Sequence, residues 1–295
     1  MSAPALQLSD VSCTFVSKDD PTQRYTAVRD VEVAVQAGEF VSVVGPTGCG
    51  KSTLLNVAAG LLQPSTGQVH VFGQPLAGLN RRAGYMFQTE SLMPWRTALQ
   101  NVSAGLEFRG LPAAEARALA EGWLQRVGLA GFGNRYPHQL SGGMRKRVSL
   151  AQTLVLDPDI ILMDEPFSAL DIQTRQLMEN ELLQLWSRGG ERRAAPGSPP
   201  APAGGGREAA GGPHGRKAVL FITHDLDEAI AMSDRVVVMS AGPASRPIGE
   251  FAIDLPRPRD VAEVRVAPRF IELHKAIWDV LREEVLKGYQ QQLAA

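Results

Sequence analysis

The sequence predicts an α/β fold with a largely parallel sheet, on three observations. Short apolar runs bounded by Gly, Pro or Asp recur as buried-strand candidates at 40–44, 160–163, 219–222 and 236–239. Longer segments, 113–127 and 174–186, are rich in helix formers and free of Pro. A glycine-rich turn joins the first apolar run to the start of a helix. Strands alternating with helices pair in parallel and are covered on both faces, which is why the runs are apolar throughout.

The turn is Gly45-Pro46-Thr47-Gly48-Cys49-Gly50-Lys51-Ser52, a GxxxxGK[ST] pattern placed after a strand and opening a helix near Ser52. Glycines let backbone N–H groups converge on phosphate oxygens, and the helix N-terminus adds partial positive charge. Lys51 is expected to reach the β- and γ-phosphates, Ser52 to offer its hydroxyl to Mg²⁺, and Thr53 to add a hydroxyl near the α-phosphate. Cys49 occupies a variable position, a neighbour of the nucleotide with no catalytic role.

The run Ile160-Ile161-Leu162-Met163 leads into Asp164-Glu165-Pro166, so both acids stand at the carboxyl edge of the sheet, where α/β proteins bind ligands. An Asp-Glu pair at a strand end is by itself mostly structural. Beside a phosphate loop, Asp164 becomes the candidate holder of Mg²⁺ and Glu165 the candidate base or water-orienting group.

The segment 189–215 is dominated by Gly and Pro, with hardly any large apolar side chain. Such a composition cannot bury enough surface to offset its conformational entropy, so a disordered surface insertion over about 189–216 is expected. After the Pro-rich Leu255-Pro256-Arg257-Pro258-Arg259, an amphipathic helix is predicted over 269–287. Its docking face is expected to comprise Ile271, His274, Ile277, Trp278, Leu281 and Val285.

Composition narrows the function classes. Thirty Lys plus Arg against 31 Asp plus Glu, with a pI near 6.5, provide no basic field, so nucleic acid is not an expected partner. Cys13 and Cys49 are far apart and suggest neither a disulfide framework nor a metal cluster, which fits a reducing cytoplasm. No secretory leader is expected from 1–10, and no run approaches the roughly 18 to 20 apolar residues of a membrane span. Any membrane role must therefore come through a partner.

Further motifs carry a resemblance. Leu140-Ser141-Gly142-Gly143-Met144 resembles the signature pentapeptide of the ATP-binding-cassette (ABC) ATPases, which ordinary phosphate-loop ATPases lack. It precedes the Asp164-Glu165 pair by about 20 residues, as in that family. Gln88, after Gly84-Tyr85-Met86-Phe87, is similar to the Q-loop. Ser168-Ala169-Leu170-Asp171 resembles the D-loop, and Thr223-His224-Asp225 carries the switch histidine. The resemblance implies a phosphate-loop NTPase fold with a mostly parallel core sheet, an N-terminal antiparallel β subdomain and a helical subdomain. It implies an ATP hydrolase using ATP and Mg²⁺ in a homodimer, in which Ser141, Gly142 and Gly143 approach the γ-phosphate bound by the opposite subunit. By the same likeness His224 contacts the γ-phosphate and attacking water, Gln88 senses Mg²⁺ and water, and Asp171 joins the nucleotide-binding set. Phe15 is the first choice to stack on adenine, with Tyr25 the alternative.

Met93-Pro94-Trp95-Arg96, the stretch 254–259 and the tail around Phe270-Ile271-Glu272-Leu273 are similar to ATPases of the nitrate, sulfonate and taurine importers. The likeness covers about 6–287 and implies an integral-membrane permease, an extracytoplasmic solute-binding protein, and a peripheral place on the cytoplasmic face of the plasma (inner) membrane. An exporter subunit or a soluble non-transport ABC ATPase is the alternative. The expected organisation is an ATPase domain over 1–254, with a helical subdomain at about 89–157, and a C-terminal helical extension over 255–295. One departure from the family is Lys146, where many relatives carry Gln.

Overall fold

The computed structural model describes residues 3–17, 20, 22–168, 170–187 and 216–294. The expected Gly/Pro-rich insertion thus lies outside the described residues except for Arg216, and so does Ala169.

Two sheets form among the described residues. In the first, β1 (Leu6–Val16) pairs antiparallel with β2 (Arg24–Val35), from Leu6 opposite Val35 to Val16 opposite Arg24. On its other edge β1 pairs with β4 (Thr66–Val71), which pairs with β5 (Gln74–Pro75). In β2, Val31, Val33 and Val35 are buried while Glu32 is exposed, the alternation of a strand with one covered face.

The second sheet comprises β3 (Phe40–Val44), β6 (Ala83–Met86), β7 (Ile160–Asp164), β8 (Ala218–Ile222), β9 (Arg235–Met239) and β10 (Pro247–Ala252). Their order is β10-β9-β3-β8-β7-β6, all parallel except β10, which is antiparallel on β9. Every residue of β3, β7 and β8 is buried. The two-residue period divides them between two apolar clusters. Phe40, Ile161, Met163, Val219 and Phe221 face one side; Val41, Val43, Ile160, Leu162, Leu220 and Ile222 face the other. Helix α1 (Lys51–Ala58) and the first sheet cover the latter side.

The former side is covered by α5 (Ile172–Ser187), α6 (Leu226–Met232), α7 (Val261–Val264) and α8 (Pro268–Ala294). Trp186 of α5 meets Phe40 edge-on and donates its indole N–H to the Lys217 carbonyl at 2.7 Å, so this large ring is buried with its polar atom satisfied. Helices α2 (Ala98–Phe108), α3 (Ala113–Arg126) and α4 (Gly142–Leu154) share their own cluster, including Val102, Leu106, Ala120, Leu124, Val148 and Ala151. Thr97 starts α2 with a capping box: its hydroxyl accepts from the Gln100 N–H, and the Gln100 side chain accepts from the Thr97 N–H.

The docking face of α8 corrects the sequence expectation. Ile277 and Leu281 are buried as expected, but their companions are Phe270, Leu273 and Glu284, whereas Ile271, Trp278 and Val285 are exposed. Apolar residues occur on more than one side of this helix, so periodicity alone did not fix the centre of the buried stripe.

Candidate nucleotide site

The carboxyl edge of the parallel sheet gathers residues distant in sequence. Strand β3 ends at Val44, and the chain turns through 45–50 into α1. Gly50 has φ 91°, the left-handed region, and a Cβ there would stand 2.5 Å from Val28 Cγ1. A Cβ on Gly45 would come within 2.9 Å of both Cys49 Sγ and Met239 Cβ. Only glycine lets the loop close this tightly against β2 and β9. With Gly50 at the N-cap, no side chain caps α1, so its first N–H groups are available to an anion. Lys51 is buried, and its ammonium donates to the Gly45 carbonyl at 2.8 Å and the Pro46 carbonyl at 3.0 Å. Burial pushes the Cys49 thiol up, which keeps this interior sulfur protonated.

From α1 the Ser52 hydroxyl donates to Asp164 Oδ1 at 3.1 Å, at the end of β7. Burial raises the Asp164 carboxyl above its ordinary range, and the Ser52 hydrogen bond partly opposes this. A hydroxyl and a carboxylate side by side suit a hard divalent cation that takes its remaining oxygens from phosphate and water. Among the described residues no cluster of three or more His, Cys, Asp or Glu could hold a metal ion without such help.

Glu165 follows with φ 43°, a left-handed conformation unusual for a side-chain-bearing residue, fixed by its N–H donating to the Ile222 carbonyl at 2.9 Å. Two groups from neighbouring strand ends converge on its carboxylate. Gln88, just past β6, donates from Nε2 to Oε2 at 3.3 Å, and His224 Nδ1, just past β8, stands 3.1 Å from the same oxygen.

The His224 loop is held from beneath. The buried Thr223 hydroxyl donates to Glu228 at 2.6 Å and accepts from the Asp225 N–H, while the Asp225 carboxylate caps α6. Arg175 on α5 donates to Asp225 at 2.9 Å and to the Leu170 carbonyl at 3.3 Å, joining Leu170 to the His224 loop. Sequence reasoning missed Arg175. Its signal was its place one helical turn after Asp171, on the element that follows the loop.

The remaining predicted residues stand apart in their bonding. Ser141 is the N-cap of α4, its hydroxyl accepting from the Met144 N–H at 3.3 Å, and Gly143 packs so close to Thr174 that a Cβ would stand 2.8 Å from its methyl. Gly142 opens the same helix. Asp171 accepts from the Thr174 N–H at 3.0 Å, which lowers its carboxyl below the ordinary range. Phe15 and Tyr25 are opposite each other on β1 and β2, and both are exposed. Gly242 lies between Tyr25 and the phosphate loop: a Cβ there would be 3.5 Å from the Tyr25 hydroxyl and 3.4 Å from the Gly48 carbonyl. Thr53 lies half-buried on α1.

Past Gln88, the 93–97 loop is pinned by buried Asn101, which accepts from the Met93 N–H and donates to the Met93, Arg96 and Thr97 carbonyls. Leu92 packs against the α2–α4 cluster, whereas Trp95 is 73% exposed. No helix among the described residues is long and apolar enough to cross a membrane.

Comparison with known proteins agrees with this geometry. The ABC transporter family model matches residues 28–168. The chain is 43% identical over 266 residues to the ABC transporter ATP-binding protein MJ0412 of Methanocaldococcus jannaschii, covering 90% of this chain and 88% of that one. It is 38% identical over 271 residues to the nitrate import ATP-binding protein NrtD of Synechococcus elongatus, covering 90% and 89%. To the taurine import ATP-binding protein TauB of Pseudomonas aeruginosa it is 38% identical over 261 residues, covering 87% and 89%. A dimeric, post-hydrolysis structure of the ATP-binding cassette MJ0796 bound to ADP and Pi superposes with a TM-score of 0.67 at 28% identity, over 85% of this chain and 100% of that chain. A phosphate loop at the sheet edge, a carboxylate pair facing it, and relatives matched along nearly their whole length lead to one conclusion: this chain belongs to the ABC transporter ATP-binding proteins, as an ATPase cassette.

Proposed function

We propose that this ATPase subunit works as a head-to-tail homodimer that drives import of a small solute of the nitrate, sulfonate or taurine type. Its partners are a separate integral-membrane permease and an extracytoplasmic solute-binding protein, and it sits peripherally on the cytoplasmic face of the membrane. The observation that carries the catalytic part is the convergence of Gln88 and His224 on one oxygen of Glu165, next to the Ser52–Asp164 pair. The solute class is supported by the names of the nitrate and taurine importers among the relatives.

On this reading Lys51 exchanges its two loop carbonyls for the β- and γ-phosphates, and the uncapped start of α1 receives the phosphate oxygens. Ser52 and Asp164, with Gln88 nearby, hold Mg²⁺, which when bound neutralises charge on the phosphate oxygens. Glu165 orients and deprotonates the attacking water, while His224 steadies that water and the γ-phosphate. Phe15 or its neighbour Tyr25 stacks on adenine. Ser141, Gly142 and Gly143 present the N-terminus of α4, and Asp171 the start of α5, to the nucleotide of the second subunit, because one chain alone leaves the γ-phosphate open on that side. The ATPase domain spans 1–254, with α2–α4 as its helical subdomain at about 89–157, and 255–295 is a C-terminal helical extension.

Glu165→Gln tests this directly. The variant retains ATP binding, loses turnover by at least about a hundredfold, and runs as a dimer on size exclusion with ATP. A variant that hydrolyses at the wild-type rate, or stays monomeric at micromolar concentration with ATP bound, overturns the assignment.

A further inference from the structure

One departure from the family motifs, Lys146, is not on the surface. It lies on the first turns of α4, is 1% exposed, and its ammonium donates to the main-chain carbonyl of Gln88. A lysine is seldom buried so completely without a specific partner, because the charged head loses its water. The preceding residue reaches the same segment: Arg145 Nε lies 3.7 Å from Glu90, while its other arm donates to the Leu140 carbonyl at 2.9 Å. Two successive basic side chains of the helix that begins at Ser141 therefore grip 88–90. Gln88, which Lys146 holds, carries the amide that donates to Glu165.

We propose that Lys146 is a positioning residue for ATP hydrolysis, fixing the main chain at Gln88 to the helix headed by Ser141. The Gln88 amide is thereby delivered to Glu165 in step with the position of that helix. The inference rests on the assignment of Glu165 as the water-orienting carboxylate. Gln88 follows the end of β6, so its main chain leaves the sheet at that point and its side-chain aim depends on what holds the carbonyl. An ammonium on a four-carbon stem spans the gap from α4. A glutamine has a shorter stem and no charge, so the link here differs in reach and strength from the one many relatives would form.

Lys146→Met, nearly equal in volume, removes the donor together with its charge. In the full-length chain it lowers kcat for ATP about tenfold while KM stays within about twofold, because Lys51 and the phosphate loop are untouched. Lys146→Gln, which keeps a hydrogen-bond donor, recovers part of the loss. In a Gln88→Ala background, Lys146→Met lowers kcat by less than about twofold, since the group it positions is gone. A wild-type kcat in Lys146→Met overturns the inference, as does a tenfold loss that persists in the Gln88→Ala background. Where Lys146→Met fails to fold, Lys146→Gln carries the same cycle, and full additivity with Gln88→Ala overturns the proposal. The two assignments fail separately: wild-type turnover in Glu165→Gln removes the role of the carboxylate, whereas normal Lys146→Met turnover beside an inactive Glu165→Gln removes that of Lys146.

Discussion

The phosphate loop and the Ser141–Gly143 turn are both glycine-rich helix starts, yet the chain supports them differently. Around the loop the bonds that place the carboxylates join distant segments: Ser52 to Asp164, Gln88 to Glu165, His224 to Glu165. At the turn itself and at the start of α5 the bonds are local, Ser141 to Met144 and Asp171 to Thr174, each at a helix start; just beyond the turn Arg145 and Lys146 reach out to 88–90. Tertiary structure thus sets the geometry of the first, and a helix carries the second with it. The turn can move with α4 without breaking its own bonds, and Lys146 carries the 88–90 segment with it, which suits a surface that closes on a second molecule. The side that must hold charge in a fixed arrangement is instead locked to four strand ends.

The sharpest way to break this comparison is to damage one region in each of two chains. Lys51→Ala removes the only lysine of the loop, and Ser141→Arg fills the turn with a bulky cation. Each variant alone is expected to lose at least about 90% of ATP turnover. Mixed in equal amounts, half of the dimers in the proposed head-to-tail arrangement would pair an intact loop from one chain with an intact turn from the other, so turnover is expected to recover to about a quarter of the wild-type level. Complementation is read from steady-state phosphate release in the mixture. No recovery above the separate variants, with mixed dimers detected, would place both regions in the same site and erase the distinction.

The same difference explains what the sequence made legible. The four apolar runs that became β3, β7, β8 and β9 were recognisable because strands buried on both faces are apolar throughout, and each observed bound lies within one residue of the expected one. The loop and the carboxylate pair carry local patterns, Gln88 and His224 stand out by the family resemblance, and the fold brings Gln88 and His224 to Glu165. Three features were not readable. The docking stripe of α8 was misplaced because both sides of that helix carry apolar residues. Arg175 was missed because its two acceptors, Leu170 and Asp225, are brought together only by the packing of α5 on the His224 loop. Lys146 was noticed as a departure, but its burial against the Gln88 carbonyl depends on how α4 lies on β6.

The two regions also respond oppositely to pH. Beneath the His224 loop, Glu179 of α5 is fully buried, and burial raises its carboxyl from 4.5 to about 8 despite Arg265 at 3.2 Å. Glu228 is raised in the same direction by burial. A carboxyl raised on folding binds its proton more tightly in the native state. Its contribution is fully present below pH 4.5 and is lost as pH climbs towards about 8. Asp171 has the reverse sign, contributing above its unfolded value and losing that contribution in acid. Glu179→Gln is therefore expected to flatten the fall in melting temperature between pH 5 and pH 8, by a few degrees at the alkaline end. Parallel melting curves for the two proteins across this range would show that Glu179 ionises normally and that burial does not dominate its environment.

The smallest effect on the isolated chain belongs to a surface that serves neither phosphate region. Trp95 stands 73% exposed at the tip of a loop whose shape comes from buried Asn101, not from the indole. Trp95→Ser should leave the melting temperature within about 2 °C, as for most surface substitutions. It should also leave isolated ATP turnover within about twofold, because the loop keeps all its Asn101 bonds. An exposed tryptophan is the kind of side chain that anchors a protein interface, where truncation typically lowers affinity by tenfold or more. Trp95→Ser with Met93→Ser is accordingly expected to reduce complex formation with the permease and ATP-driven uptake at least about fivefold in reconstituted vesicles. Uptake at the wild-type rate would show that contact with the proposed permease does not depend on Trp95 and Met93. Unfolding of the isolated variant would mean that the loop leans on Trp95 after all. Normal turnover with lost uptake would place coupling in a third region, joined to the nucleotide side through the few residues between Gln88 and Met93.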